Sequence, residues 1–114
     1  MEELSSYFGS FFSRDTSNVR NSDAIVLIGC KIIDQGLKRS EKWKIDPNTA
    51  CFLVNLGISL GSAVKMASLL NIDNRIMYSI GVAAIELGLI DADVAFGIPI
   101  SAKAKNIYFD RPPI

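Results

Sequence analysis

Apolar positions fall into three stretches, and the first of them predicts a strand. Residues 23–29 form a short, continuous apolar run that is rich in β-branched side chains and closed by a glycine. A run of this kind is typical of a strand buried on both faces. The isoleucines between residues 25 and 33 also fit helical spacing, so a helix start is the alternative, and we favour the strand.

The second stretch predicts a long helix. Asp46 and Pro47 combine an acidic N-cap with a proline at the first helical position. We expect the helix to run from Pro47 to about Leu70, where the turn formers of residues 71–74 end it. Asp73 is then a candidate N-cap for a second helix.

This second helix is expected from Asn74 to about Leu87, with Gly88 as its C-terminal cap. Residues 34–45, ahead of the long helix, are polar and basic and contain Trp43 as their one large ring. They predict a loop or an irregular surface helix.

The third apolar stretch, residues 94–100, predicts another strand, and Pro99 places its end at a sheet edge. The order strand, loop, long helix, helix, strand favours an α/β layer fold with both strands in one sheet. The chain has 114 residues, so we expect a single domain over 1–114. Within it, 1–22 forms an aromatic and polar arm and 101–114 forms a C-terminal arm.

Composition removes several classes of function. Twelve Lys and Arg balance twelve Asp and Glu, so no net charge attracts nucleic acid or an anionic membrane. Histidine is absent, which removes the commonest general base and the commonest metal ligand. The sequence also lacks a carboxylate pair, a nucleophile with its base, and a glycine-rich phosphate loop. We therefore expect neither nucleic acid nor a membrane as a partner.

The two cysteines, Cys30 and Cys51, favour a reducing compartment. Glu2 and Glu3 stand where a secretory signal carries positive charge, so we expect a cytoplasmic protein. The simplest interpretation of both thiols is that of small, buried apolar side chains. Two thiols do not complete a zinc or iron–sulfur site unless a partner subunit supplies further ligands.

Residues 49–64 carry no charge, which raises the question of a membrane span. A spanning helix needs about 20 predominantly apolar residues, and Lys65 interrupts this run, so a buried core helix is the better interpretation. Residues 56–64 also have the pattern of the turn and recognition helix in a helix-turn-helix protein. The zero net charge, and Lys65 as the only charge on that face, argue against DNA binding.

Three stretches carry a resemblance to a known family. They are FSRDTSNVRNSDAIVLIG at 12–29, ACFLVNLGISLGSAVKMA at 50–67 continuing through NIDNRIMY at 71–78, and DADVAFGIPISAKAKNIYFDR at 91–111. The chain resembles a bacterial and archaeal family of uncharacterised proteins that contain a ferredoxin domain. The resemblance covers nearly all of the chain after Phe11.

The resemblance also implies features that this sequence does not have. Family members resemble longer proteins with a helical N-terminal segment, and they carry a CGxCG-type motif between the first strand and the long helix. Residues 37–45, in the corresponding region, contain no cysteine, and Cys51 alone matches a later family cysteine. Four thiolates are the usual requirement for a cluster, so we expect no bound iron–sulfur centre.

A weaker analogy, at the level of the fold, is to the C-terminal half of flavin-dependent nitroreductases. In those enzymes, basic residues near both chain ends hold the flavin phosphate. The analogy makes FMN a possible cofactor, although fold analogy alone is a poor warrant for function.

Eight residues are candidates for ligand binding because they combine cationic or amide groups with glycines that admit close approach. They are Arg14, Asn18, Arg20, Gly57, Gly61, Arg75, Lys103 and Lys105. Each set also has a structural interpretation, which we favour: turn hydrogen bonds with Asp15, close helix packing at the glycines, and solvated charges at the two lysines.

The function favoured by the sequence is that of a small structural or interaction module derived from the ferredoxin-domain family. The alternative is a flavin- or small-ligand-binding redox protein with a site between subunits. The aromatic residues at 7–12 leave an apolar face that favours a homo-oligomer.

Overall fold

The fold, given by a computed structural model, is a three-stranded antiparallel sheet with helices on both faces. The structure describes residues 11–102 and residue 108. In chain order the elements are α1 (Phe11–Arg20), β1 (Ala24–Cys30), α2 (Pro47–Leu69), β2 (Asp73–Asn74), α3 (Tyr78–Glu86) and β3 (Val94–Ser101). This is the predicted α/β class, with both predicted strands in one sheet.

The last strand is the centre of the sheet, because the strand order is β1-β3-β2. β1 pairs with it along its whole length, from Ala24 opposite Ile100 to Cys30 opposite Val94. The prediction that Pro99 marks a sheet edge is therefore wrong. Pro99 instead lies at a gap on the β2 side of β3. Asn74 of β2 pairs with Ile100, and the next bridge on that side joins Met77 to Gly97. Proline has no N–H to donate, so the ladder is interrupted at this point.

The long helix begins as the sequence predicts. The Asp46 carboxylate accepts from the backbone N–H of Thr49 at 2.9 Å and from its hydroxyl at 3.0 Å, and Pro47 opens the first turn. These hydrogen bonds lower the pKa of Asp46, the backbone N–H of Thr49 contributing most.

Both of the later helices end in a left-handed residue. After α2, Asn71 has φ of 58°, and the Ile72 N–H donates to the carbonyl of Ala67. After α3, Gly88 has φ of 72°, and the Leu89 N–H donates to the carbonyl of Ala84. Both ends are Schellman motifs, which confirms Gly88 as a C-terminal cap.

The core lies on both faces of the sheet. On one face, Leu56 and Leu60 of α2 pack against Ile98. On the other, Ile80 of α3 lies so close to Gly97 that an added Cβ would overlap its side chain.

Three further expectations need correction. Residues 11–20 of the predicted aromatic and polar arm form a helix, which was not predicted from the sequence, and Phe12, Asp15 and Thr16 are buried on one side of it. Asp73 caps no helix: it pairs with Ser101 in β2, and α3 starts later with Met77 as N-cap. β1 is an edge strand, and its first residues are exposed.

The loop prediction for residues 34–45 is confirmed, since no helix or strand occurs between β1 and α2. Within it, the Asn48 side chain of α2 reaches back to accept from the backbone N–H of Gln35 at 2.9 Å. Residues 56–64 lie inside one continuous helix, so the helix-turn-helix interpretation is wrong.

Candidate functional site

Two surface features bring the predicted site residues together, and the first is a polar cleft of about 240 Å³. Its walls come from α1 and from the segment that joins β2 to α3. The lining residues are Arg14, Asp15, Arg75, Ile76, Met77, Tyr78 and Ser79. Arg14 and Arg75, 61 positions apart in the sequence, therefore face one cleft.

A buried carboxylate organises the cleft. The Asp15 side chain accepts a short hydrogen bond from the hydroxyl of Ser79, which is fully buried in the first turn of α3. Its other oxygen lies 3.4 Å from Nε of Arg14. The carboxylate is thus satisfied on both oxygens, and it links α1 to the N-terminal end of α3, where the helix dipole favours negative charge.

Arg75 is hydrogen-bonded to Tyr108. Its Nη1 donates to the backbone carbonyl of Tyr108 at 3.2 Å. The Tyr108 ring is fully buried, and its hydroxyl lies 3.0 Å from that of Ser22. Burial raises the pKa of the Tyr108 phenol.

Asn18 and Arg20, the other candidate ligand residues of α1, do not line this cleft. Asn18 contributes a backbone carbonyl that accepts from the Ser22 hydroxyl at 2.7 Å. Arg20 is the exposed last residue of α1. Lys103 and Lys105 lie outside the described residues.

The sequence offered no signal for Ser79 or Tyr78 as cleft residues. Asp15 and Ser79 are 64 positions apart and meet only because α1 packs against α3. The ring of Tyr78 contacts the ring of Phe12 in an edge-to-face arrangement, with ring centroids 6.4 Å apart.

The second feature is the outward stripe of α2, which is exposed although it is almost wholly apolar. We define it by exposed residues at helical spacing away from the side of Leu56 and Leu60, namely Val54, Gly57, Ile58, Gly61, Lys65 and Leu69. The polar residues Asn55, Ser59 and Ser62 are exposed beside it. Val54 is 62% exposed, Ile58 63% and Leu69 68%.

The glycines of the outward stripe are open. A Cβ built at Gly57 or Gly61 meets nothing within 4 Å in the described part of the chain. Close helix packing, the expected explanation for these glycines, therefore does not occur among the described residues. Within the same residues the sheet covers one side of α2, so α2 is not enclosed as a buried core helix there.

By length and composition, α2 is long and apolar enough to cross a membrane, with mean hydropathy 1.5. This is weak evidence by itself, since the core helix of a larger assembly has the same composition. Within the described residues, α2 also packs on the sheet through Leu56 and Leu60.

The thiols and the acidic side chains form no third site. Cys30 is half-buried at the end of β1 and Cys51 is exposed on α2, and both are free. Lys31 donates to Asp91 at 2.6 Å, and this hydrogen bond raises the pKa of Lys31. Residues 11–102 and 108 contain no group of three His, Cys, Asp or Glu that could hold a metal ion.

The fold and its two surface features define a small α/β domain with a polar cleft and a largely apolar helix whose outward side is exposed. Residues 45–111 match the family model described as "uncharacterized protein containing a ferredoxin domain (DUF2148)". An uncharacterised protein of the archaeon Archaeoglobus fulgidus is 43% identical over an alignment 131 positions long, which covers 99% of this chain and 71% of the relative. The chain belongs to this ferredoxin-domain family. No solved structure matches it, so the likeness to a nitroreductase gains no support.

The family description implies an iron–sulfur cluster, but the residues of this chain do not fit one. A cluster held by protein thiolates uses four cysteines, and these 114 residues contain two cysteines and no histidine. One cysteine ends β1 and the other lies on the exposed side of α2. This chain alone therefore does not supply the ligand set of a ferredoxin.

Proposed function

We propose that this chain is an interaction module that self-associates through the outward stripe of α2. The observation that carries the proposal is the exposure of this stripe on a helix that has Lys65 as its only charged residue. An amphipathic helix of a globular protein ordinarily turns its large apolar side chains toward a partner and its polar side chains toward water, whereas Val54, Ile58 and Leu69 of α2 are all more than 60% exposed. Contiguous exposed apolar surface marks a site of interaction.

The stripe also suits a second copy of itself. The helix has 23 residues and is about 35 Å long at the α-helical rise. Gly57 and Gly61 lie near its middle, and a small-xxx-small pair lets two helix backbones approach closely. A two-fold axis at this point makes the interface self-complementary.

The single charge favours an antiparallel arrangement of the two helices. In a parallel pair the two Lys65 side chains would lie side by side, and like charges repel. In an antiparallel pair centred between Gly57 and Gly61, each Lys65 lies toward the N-terminal half of the other helix. Its flexible stem can then cover apolar surface while the ammonium stays in water.

The proposal is tested by placing a charge in the stripe. Full burial of an isoleucine side chain contributes about 1.5–3 kcal/mol, and Ile58 has 63% of its surface left to bury. Because each protomer of the dimer contributes one Ile58, Ile58→Lys should weaken the dimer by roughly 2–4 kcal/mol, which raises its Kd about 30- to 1,000-fold.

Ile33→Lys is the matched control, because Ile33 is 62% exposed but lies in the loop before α2. Sedimentation velocity over a range of concentrations should show a dimer for the wild type and for Ile33→Lys, and a monomer for Ile58→Lys. A monomeric wild type that floats with phosphatidylcholine vesicles would assign the stripe to a lipid surface and reject the proposal.

No described contact favours FMN over a second copy, although open glycines would admit a flavin ring. Titration of FMN into the protein, followed by flavin fluorescence, separates the alternatives. Saturable quenching that is lost in Gly61→Leu would favour the flavin, and its absence supports the interaction module.

A further inference from the structure

We propose that the polar cleft binds a small anion bearing a carboxylate or phosphate group, and that Arg14 is its principal ligand. The described residues that line the cleft contribute two guanidinium groups and one carboxylate. The carboxylate, Asp15, is buried, with Arg14 on one oxygen and Ser79 on the other. An incoming anion therefore meets cationic groups in preference to a free carboxylate.

Arg14 is held in place but keeps unused donors. Only its Nε contacts Asp15, and its two terminal amino groups have no partner among residues 11–102 and 108. Its side chain is 45% exposed, so it is accessible from solvent. A guanidinium that contacts a carboxylate through Nε alone can still present its remaining N–H groups in the fork that matches a carboxylate or a phosphate.

Tyr78 supplies a further donor. It lines the cleft, and its ring contacts the rings of Phe12 and Phe96. In the described part of the chain its hydroxyl makes no hydrogen bond, so it is available to an oxyanion. Arg75 adds positive charge from the segment before α3.

The size of the cleft limits the ligand. Sites for drug-sized molecules and cofactors run from about 300 to 1,000 Å³, whereas this cleft measures about 240 Å³. A free phosphate or a short dicarboxylate fits this volume better than a nucleotide or an intact flavin. The proposal is independent of self-association, because the cleft lies on the α1–α3 side of the sheet and the outward stripe belongs to α2.

The test is a pair of titrations, with inorganic phosphate and with succinate, at constant ionic strength, followed by amide chemical shifts. We expect saturable, one-to-one shifts centred on residues 75–79 with at least one of the two anions. Arg14→Gln should weaken binding roughly ten- to a hundredfold, because it removes charge-assisted hydrogen bonds. Arg14→Lys, which keeps the charge without the fork, should fall between Arg14→Gln and the wild type.

Lys65→Gln is the matched control, since it removes an exposed cation outside the cleft, and it should bind as the wild type does. Binding should also persist in monomeric Ile58→Lys, which distinguishes failure of this proposal from failure of self-association. The proposal is overturned if neither anion shifts residues 75–79 at millimolar concentration. Equal binding by folded Arg14→Gln and wild type would overturn it as well.

Discussion

Alanine at Gly57 and Gly61 should raise the stability of the folded chain while weakening its self-association. Both glycines lie in the interior of α2, and an added Cβ contacts nothing within 4 Å among the described residues. Glycine inside a helix costs about 1 kcal/mol relative to alanine. Each substitution should therefore raise the unfolding free energy of the monomer by about 1 kcal/mol, and the two together by about 2 kcal/mol.

The same methyl groups act in the opposite direction in the proposed dimer. There the two glycines lie where the helix backbones approach most closely, so four added methyl groups crowd a symmetric interface. Overpacking of this kind costs about 1–3 kcal/mol, which raises Kd roughly fivefold to more than a hundredfold.

Two assays separate the two effects. Urea unfolding followed by circular dichroism, in the monomeric Ile58→Lys background, measures the change in helix stability alone. Sedimentation velocity in the wild-type background measures the change in Kd. If alanine at Gly57 and Gly61 lowered the unfolding free energy in the Ile58→Lys background, the two glycines would not be open to solvent, because another part of the same chain would have to cover them. An unchanged Kd would contradict the placement of the two-fold axis.

Three further predictions concern the fold. Gly81→Ala should lower the unfolding free energy measured in urea by about 3 kcal/mol, because the added Cβ would overlap the Ala95 carbonyl, a backbone group that cannot move aside by changing rotamer. A decrease below about 1 kcal/mol would contradict the packing of α3 on β3. Tyr108→Phe should cost about 1 kcal/mol by thermal unfolding, through loss of the hydroxyl contact with Ser22, and wild-type stability would disprove that contact. Because the pKa of Asp46 is lowered on folding, its carboxylate stabilises the chain above the unfolded-state pKa, and this stabilisation disappears as the pH falls through the folded-state pKa. Asp46→Asn, which keeps a capping acceptor, should therefore show a shallower loss of melting temperature in acid than the wild type, and parallel curves would rule out this cause.

Local chemistry predicted the helix ends well. The carboxylate of Asp46 and the ring of Pro47 act within one turn, so the start of α2 is correct to the residue. The stop after α3 depends on the left-handed backbone of Gly88, which is again a local property.

Long-range pairing decided the elements that sequence reasoning missed. Asp73 has the side chain of a helix cap, but its backbone pairs with Ser101 of β3 as part of the short edge strand β2. α1 was hidden because Asp15 and Thr16, two of its buried positions, are polar. Phe12, Asp15, Thr16 and Val19 nevertheless follow helical spacing, and this was the available signal.

The candidate site was predicted in part. Sequence reasoning named Arg14 and Arg75 as candidate ligand-binding residues, but not that both line one cleft, since that depends on the packing of α1 against α3. It identified Gly57 and Gly61 as positions of close approach, and the structure shows that the approaching group is not another described part of this chain.

The mass of the wild-type chain in solution tests the central claim most directly. Sedimentation equilibrium, carried out without detergent over a wide range of concentrations, measures it without any substitution. Self-association through the outward stripe predicts a reversible approach to twice the chain mass of 12.4 kDa as the concentration rises. A species that stays at the mass of one chain throughout, with the outward stripe still exposed, would contradict it.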